Sequence, residues 1–289
     1  MSVEPVPLAP GLYVVATPIG AARDITLRAL DTLASADILA AEDTRSLRHL
    51  MAIHGIALRD RPVLAYHDHN GAQMRPRLLA HLAEGKSVAY ASEAGTPLVA
   101  DPGYALVRDA RAAGHAVTAA PGPSAAVTAL SIAGLPTDRF LFAGFPPTTD
   151  SARRRFLAEF APVQATLVLY ESPKRLDKLL GSCLEVFGPD REVAICRELT
   201  KKFEEVRRAT LGELEAALGD MPRKGEFVVL IGRGETNVGE ADLESALRDA
   251  MKTETMKDAA RQVADALGLP RRECDGNRSH HPLGQRLAR

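Results

Sequence analysis

Short β-rich apolar runs alternate with stretches of helical period along the first 120 residues. The runs are LYVVA (12–16), ILAA (38–41), VLAY (63–66), SVAYA (87–91) and AVTAA (116–120). Between them ITLRALDTLASA, SLRHLMAIHG, MRPRLLAHLAEG and ALVRDARAAG place apolar residues at helical spacing, and the last three end on a glycine suited to a left-handed cap. This is the βαβ alternation of a largely parallel sheet with helices on its faces.

A second series follows: FLFAGF (140–145), TLVLYE (166–171), EVAICREL (192–199), the polar EEVRRAT (204–210) and EFVVLIG (226–232). Its strands lie closer together and its last connections are short, which predicts antiparallel pairs in this half. The chain divides near PGPSA (121–125), and beyond Gly239 it reads as two helices, ADLESALRDAM and TMKDAARQVADALG. The predicted organisation is an α/β domain over residues 11–120, a second α/β domain over 121–235 and a helical extension over 236–289. The closing PRRECDGNRSHHPLGQRLAR loses all periodicity and reads as a disordered tail; its paired histidines and Cys274 match no metal-ligand spacing.

A chain of 289 residues, 46% hydrophobic, suits two packed domains better than one. Its 36 Lys and Arg against 37 Asp and Glu leave no chain-wide field to attract nucleic acid. An RNA partner would need a local patch or a larger assembly. Cys183, Cys196 and Cys274 are odd in number and show no CxxC spacing, which argues against a disulfide framework or a zinc site and fits a reducing cytoplasm. MSVEPVPLAPG lacks the basic and apolar regions of a signal peptide. No apolar run reaches the roughly 18 to 20 residues that span a bilayer, so the chain reads as soluble.

Four loops follow predicted strands at the carboxyl end of the first sheet, where doubly wound folds bind ligands: TPIGAARD, EDTR, SEAGTPLVADPGY and PGPSA. Their Gly, Pro, Ser and Thr set special backbone angles and leave room for a close ligand. None matches GxxxxGK, GxGxxG or GxSxG, so a nucleoside triphosphate, a dinucleotide and a serine nucleophile lack support. The ligand should carry few phosphates or none. His67 and His69 in YHDHN read as loop residues without a ligand, and Arg153 to Arg155 as a solvated helix face.

Taken together the loops are more specific than any one of them. ATPIGAARDITLRALDTLASADILAAEDTRSLRHLM, SEAGTPLVADPGYALVRDA, PGPSAAVTALSIAGLPTDRFLFAGFPP, LYESPKRL, RELTKKFEE and GEFVVLIG resemble, in this order, the signature segments of a family of small-subunit ribosomal RNA methyltransferases. That family lies within the tetrapyrrole methylase-like superfamily, the class III methyltransferases, and the resemblance covers residues 11–232. Ala21, Ala22 and Glu93 stand where the family usually has Asn, Leu and Asp.

The resemblance implies two α/β domains with S-adenosylmethionine in the cleft between them and a homodimeric assembly. It implies methyl transfer to the ribose 2′-hydroxyl of a cytidine in the decoding region of 16S rRNA. Carried over by position, the cofactor contacts fall on Pro18, Ile19, Thr96, Val99, Ser124 and Ala125, with Tyr170, Leu199 and Ile231 at the ends of second-domain strands. No metal is implied. A general base or a nearby cation would activate the hydroxyl. The candidates are Glu42 and Asp43 with Arg45 as electrostatic partner, and Lys201 with Glu198 and Arg197. Lys174, Arg175, Lys201, Lys202, Arg207 and Arg208 are the basic residues nearest the expected cleft. With a neutral net charge, binding to the assembled small subunit should exceed binding to naked RNA. Two alternatives stay open: a tetrapyrrole C-methyltransferase on the same scaffold and a non-catalytic RNA-binding assembly module.

Overall fold

The computed structural model describes residues 5–234 and 240–267. Ten strands and ten helices are described, and the strands form two five-stranded sheets.

The first sheet contains β1 (Gly11–Val15), β2 (Ile38–Ala41), β3 (Val63–Ala65), β4 (Ser87–Ala91) and β5 (Val117–Ala120), in the order β3-β2-β4-β1-β5. Every pairing is parallel. All positions of β2 and β4 are buried, as expected of central strands covered on both faces. The helices divide by the direction of chain travel. α1 (Leu27–Ser35) and α2 (Thr44–Ile53) follow leftward crossovers, and Leu33 and Met51 pack with Val15, Leu39 and Ala91 on one face. α3 (Gly71–Ala83) and α4 (Tyr104–Ala112) follow rightward ones, and Leu78 and Leu106 pack with Leu12, Ala40 and Tyr90 on the other. The chain leaving β1 and the chain leaving β4, its neighbour, therefore turn to opposite faces, and a crevice opens at their carboxyl ends.

After α5 (Ala125–Ile132) the second sheet contains β6 (Phe140–Gly144), β7 (Thr166–Glu171), β8 (Glu192–Arg197), β9 (Glu205–Thr210) and β10 (Phe227–Ile231), in the order β6-β7-β10-β8-β9. β6 and β7 pair parallel; β10 runs antiparallel to β7 and β8, and β8 antiparallel to β9. The antiparallel pairs expected from the short connections are present. β8 stops at Arg197, two residues before the predicted end, because Glu198 turns the chain with φ 51°.

One face of this sheet packs on α6 (Asp150–Ala158), α7 (Leu176–Phe187) and α8 (Leu214–Leu218) through residues such as Leu157, Leu179 and Leu214. The other is covered by Ala126, Ala129 and Leu130 of α5, and by Ile19 from the first domain's β1 loop. That shared apolar cluster joins the two α/β domains. Cys183 and Cys196 lie in the two separate clusters, and burial pushes both thiols up to about 12. α9 (Glu240–Ala250) and α10 (Met256–Leu267) pack on each other through Leu247, Ala260 and Val263. Cys274 and the paired histidines lie outside the described residues.

Arg153 departs from the solvated face expected of it: it is buried, bonding Ser182 Oγ at 2.9 Å, Asp150 at 2.7 Å and the Thr148 carbonyl at 3.2 Å. It ties α6 to α7. A buried guanidinium needs such saturation. Arg154 pairs with Asp150 and Glu185 on the outside.

Candidate active site

A cleft of about 340 Å³ lies where the β1 and β4 loops meet the second domain. Its first wall is residues 92–103. The backbone of Thr17 exchanges hydrogen bonds with Gly95 at 2.9 and 3.0 Å, and Ser92 Oγ donates to the Gly95 carbonyl at 2.6 Å. Gly95 has φ 81°, and a Cβ there would lie 3.3 Å from Ile19 Cγ2, so glycine permits the β1 loop to close in. Further along, Leu98 and Ala100 hold φ of 71° and 59°, which non-glycine residues rarely adopt.

The surroundings enforce that strain. The Leu98 side chain packs into the first-domain core, Tyr90 OH donates to the Pro102 carbonyl at 2.8 Å, and a Cβ on Gly103 would lie 2.6 Å from the Tyr90 ring. With the loop pinned on both sides, Val99, Ala100 and Asp101 line the cleft.

The opposite wall comes from the ends of second-sheet strands and the start of α5. Tyr170, Glu171, Glu226 and Val228 line it, with Ser124 and Ala125 between the walls. Tyr170 OH accepts from Ala126 N–H at 3.0 Å, and Thr96 Oγ1 donates to the Pro123 carbonyl at 2.8 Å. Phe145 stands edge-on to Tyr170 at 5.6 Å and is 55% exposed at the cleft.

The charged groups separate into paired and unpaired. Glu171 is buried and lies 3.1 Å from Arg175, whose guanidinium also donates to the Pro146 carbonyl. Lys201 lies 3.0 Å from both Glu198 and Glu226. Burial works against its charge, but the bonds to Glu226 and Glu198 outweigh it and raise the lysine above its ordinary value. Asp43 accepts from Arg45, which holds its carboxyl down to about 2, and caps α2 through the Arg45 and Ser46 N–H groups. Asp101 has no hydrogen bond or ion pair among the described residues. Burial, reinforced by Glu42, Glu93 and Asp68, pushes its carboxyl up to about 7. Glu42 is also raised, by burial and then by Glu93, but does not line the cleft.

Of the residues carried over as cofactor contacts, Ile19, Thr96, Val99, Ser124, Ala125 and Tyr170 lie on the cleft wall. Pro18, Leu199 and Ile231 do not. Pro18 stays half-buried in the β1 loop, Leu199 packs among the apolar residues joining the domains, and Ile231 faces the helices behind the second sheet. Neither Asp43 nor Arg45 lines the cleft; Arg45 points outward, its side chain 90% exposed. Among the basic residues, Lys174 and Lys202 are exposed, Lys202 against the Phe203 ring. Arg207 is engaged by Glu205 and Asp220, and Arg208 by Glu192 and the Gly134 carbonyl. His67 and His69 stack edge-on at 6.0 Å, and no group of three metal-holding side chains occurs among the described residues. Asp101, Phe145, Glu171 and Glu226 line the cleft without having been singled out. All four sit inside or beside the segments that carried the resemblance, which was the available signal.

The family model for tetrapyrrole (corrin/porphyrin) methylases matches residues 11–215. A ribosomal RNA small subunit methyltransferase I of Mesorhizobium japonicum is 49% identical, covering 91% of this chain and 89% of that one. The chain belongs to the tetrapyrrole methylase family, in its ribosomal RNA small subunit methyltransferase I branch. Another member of that branch, from Vibrio cholerae serotype O1, is 46% identical and covers 89% of this chain and 90% of its own. Among solved structures, the uroporphyrin-III C-methyltransferase of Thermus thermophilus complexed with S-adenyl homocysteine aligns with TM-score 0.54 at 20% identity. It covers 77% of this chain and 97% of that one, a likeness of fold. The 92–103 loop and the Ile19–α5 contact lie within the span matched to this family. No helix among the described residues is long and apolar enough to cross a membrane.

Proposed function

We propose that this chain transfers a methyl group from S-adenosylmethionine to a ribose 2′-hydroxyl of a cytidine in 16S rRNA, within the assembled small ribosomal subunit. The observation that carries the reading is the charge of the cleft. Asp101, Glu171 and Glu226 line it, and among the described residues no Lys, Arg or His does. Such a wall offers no cation to a phosphate-rich cofactor and suits one with a cationic sulfonium and ammonium. The same feature disfavours a tetrapyrrole acceptor, whose carboxylates would call for arginines.

The remaining contacts fit the rest of the cofactor. Apolar Ile19, Val99 and Val228 offer a surface to an adenine ring, and Ser124 with the turn backbone offers hydrogen bonds to ribose and amino-acid tail. When bound, S-adenosylmethionine supplies an electrophilic methyl group. The protein's own part is to align the acceptor oxygen and to exclude water. Phe145 stands where an unstacked base can lie against it, and Lys174 and Lys202 are placed to meet phosphates. Lys201, held protonated by two carboxylates, acts as a tie between segments rather than as a base.

Mass spectrometry of 16S rRNA from cells lacking the protein tests the reading: one ribose methyl should disappear and return with the gene. Unchanged rRNA would overturn it. The purified protein should methylate assembled small subunits at least tenfold faster than protein-free rRNA, and equal rates would remove the subunit from the proposal. We further propose a homodimer, as the resemblance implies, in the reducing cytoplasm that the cysteine pattern fits; sedimentation of the purified chain as a monomer at micromolar concentration would refute the dimer.

A further inference from the structure

We propose that one end of the second sheet is a track for a single strand of the RNA, running from the cleft to Phe203, on whose ring a base flanking the methylated nucleotide stacks. The inference rests on the methyl-transfer reading and deepens it by naming where the acceptor's neighbouring nucleotides lie.

Strand directions bring four segments to that end. β6 and β7 are parallel and both finish there, at Gly144 and Glu171. Phe227, the first residue of β10, pairs with Glu171 on one side and with Arg197, the last residue of β8, on the other. Glu205, the first residue of β9, pairs with Arg197 in turn. Residues 145, 172–175, 219–226 and 198–204 therefore emerge side by side, in the spatial order of the strands. Phe145, Lys174, Lys224, Lys202 and Phe203 follow one another along this edge. At the spacing of paired strands, β6 and β8 stand about 14 Å apart, room for a few nucleotides of extended strand. The row borders the cleft: Phe145 lines it, Lys174 follows the lining residue Pro173, and Lys224 precedes the lining residue Gly225.

The side chains along the row suit a phosphate backbone. Lys174, Lys202 and Lys224 are exposed and have no carboxylate partner among the described residues. The acids at this end are already engaged. Glu171 is paired with Arg175, Glu198 and Glu226 with Lys201, and Asp177 with Arg223, while Glu204 accepts from Thr200 N–H at 2.6 Å. A chain of nearly zero net charge thus keeps three free cations beside its cleft, where phosphate contacts would set the register of a strand.

An aromatic ring stands in water at each end of the row, Phe203 61% exposed and Phe145 55%. Both are held in place. The buried Arg197 donates to the Phe203 carbonyl at 3.3 Å and to the Lys224 carbonyl at 2.8 Å, so one guanidinium fixes two members of the row. Lys202 Nζ lies 5.5 Å from the Phe203 ring centroid, which brings a cation and a stacking surface together. Phe145 owes its place to a break in register. Leu141 and Ala143 pack toward the helices, but the bulge between Phe142 and Gly144, with φ 70° at Gly144, puts Phe145 beside Phe142 against Tyr170. Cations for the backbone and rings for unstacked bases are how single strands are held. A protein partner fits less well, because the two rings are separated by lysines, which protein interfaces avoid.

Steady-state methylation of assembled small subunits by the full chain tests the track, with Phe203→Ala, Phe203→Leu, Phe203→Trp and Lys224→Gln. Phe203→Ala and Phe203→Leu should each raise KM for the subunit about tenfold, with kcat within about threefold. Phe203→Trp should stay near wild type, because its ring also stacks. Lys224→Gln should flatten the slope of log kcat/KM against log salt by about 0.7, the share of one phosphate contact on a single strand. All four should keep the wild-type Kd for S-adenosylhomocysteine and a cooperative melt, since neither Phe203 nor Lys224 lines the cleft.

A Phe203→Ala enzyme with KM within twofold of wild type would overturn the proposal, as would Phe203→Trp impaired as much as Phe203→Ala, or an unchanged salt slope in Lys224→Gln. Phe203→Leu at wild-type efficiency would assign the ring to an apolar contact with a ribosomal protein, and a loss of cofactor affinity that accounts for the lower rate would assign it to the fold; either result overturns the track. Wild-type protein inactive on the subunit would instead overturn the underlying methyl-transfer reading.

Discussion

In the first domain Leu98 and Ala100 hold φ of 71° and 59°; in the second, Glu198 and Thr200 hold 51° and 62°. The two turns share a strained backbone and differ in what it serves. The first presents a carboxylate to the cleft without a cation. The second folds every charge it carries into internal pairs: Glu198 accepts from Lys201 and from Glu226 N–H, each at 3.0 Å. It also reaches across to the first domain, where Thr200 Oγ1 accepts from Ala21 N–H at 3.1 Å. The contrast separates two uses of one device. At 98–101 strain places a carboxylate on the cleft wall, and at 198–201 it joins two domains.

If that division holds, Asp101→Asn should lower methyl transfer at limiting S-adenosylmethionine by about 10², whereas Lys201→Met should stay within a few-fold. A collapse of catalysis in Lys201→Met at unchanged cofactor affinity would reverse the assignment of the two turns. Next in size, Thr96→Phe fills the first wall with a ring. We expect affinity for S-adenosylhomocysteine to fall by about 30-fold or more, with a cooperative melt retained. The lost bond to the Pro123 carbonyl should itself cost only about 1 kcal/mol of stability. Undiminished affinity would place the cofactor against another wall.

Gly20→Val addresses the second turn from its partner. A Cβ at Gly20 would lie 2.6 Å from Thr200 Oγ1 and 2.9 Å from the Leu199 carbonyl oxygen, so backbone must move. Overpacking of this kind costs about 1 to 3 kcal/mol, read as a lower Tm, and it should raise the cofactor Kd through the displaced Ile19. A Tm equal to wild type would mean the two domains are not held together at this point. Lys201→Met is milder for stability. It leaves Glu198 and Glu226 without their cation, but Glu226 is 75% exposed, so about 0.5 to 1 kcal/mol is expected. That loss should shrink in high salt, where repulsion between the two acids is screened.

Much of this arrangement was legible in the sequence because it is local. Apolar runs such as ILAA and SVAYA are strands at the predicted residues, and the four loops sit at the carboxyl ends of the first sheet, where a parallel sheet puts them. What stayed hidden depends on non-local facts. β10, last in sequence, inserts between β7 and β8, and alternation along it then decides which side chains face α5 and which the helices behind. Val228 and Leu230 face α5, whereas Val229 and Ile231 face the helices behind. Ile231, reached by positional carry-over, lies on the face turned to the helices, and a shift of one residue changes the face. Asp101 was missed for a different reason. Its presentation depends on left-handed backbone at Leu98 and Ala100, which no residue type there announces.

The smallest expected effect is the most discriminating. Glu42 was a candidate base by sequence, and its own carboxyl is raised by burial, yet it does not line the cleft. Its influence on Asp101 is through charge: after burial, Glu42 is the largest of the neighbours that raise the Asp101 carboxyl. Glu42→Gln removes that repulsion without changing shape. Asp101 then loses its proton more readily and meets the cationic cofactor ionised, so the rise of methyl transfer with pH at limiting S-adenosylmethionine should move to lower pH by a fraction of a unit. The plateau rate should stay within about twofold. If Glu42 were itself the group that takes the acceptor's proton, the same substitution would remove the limb and lower the plateau by about 10². One profile therefore distinguishes a residue that tunes from a residue that reacts. It does so at a position the chain places only one residue from Asp43, whose carboxyl, held down to about 2 by Arg45, stays ionised throughout that range.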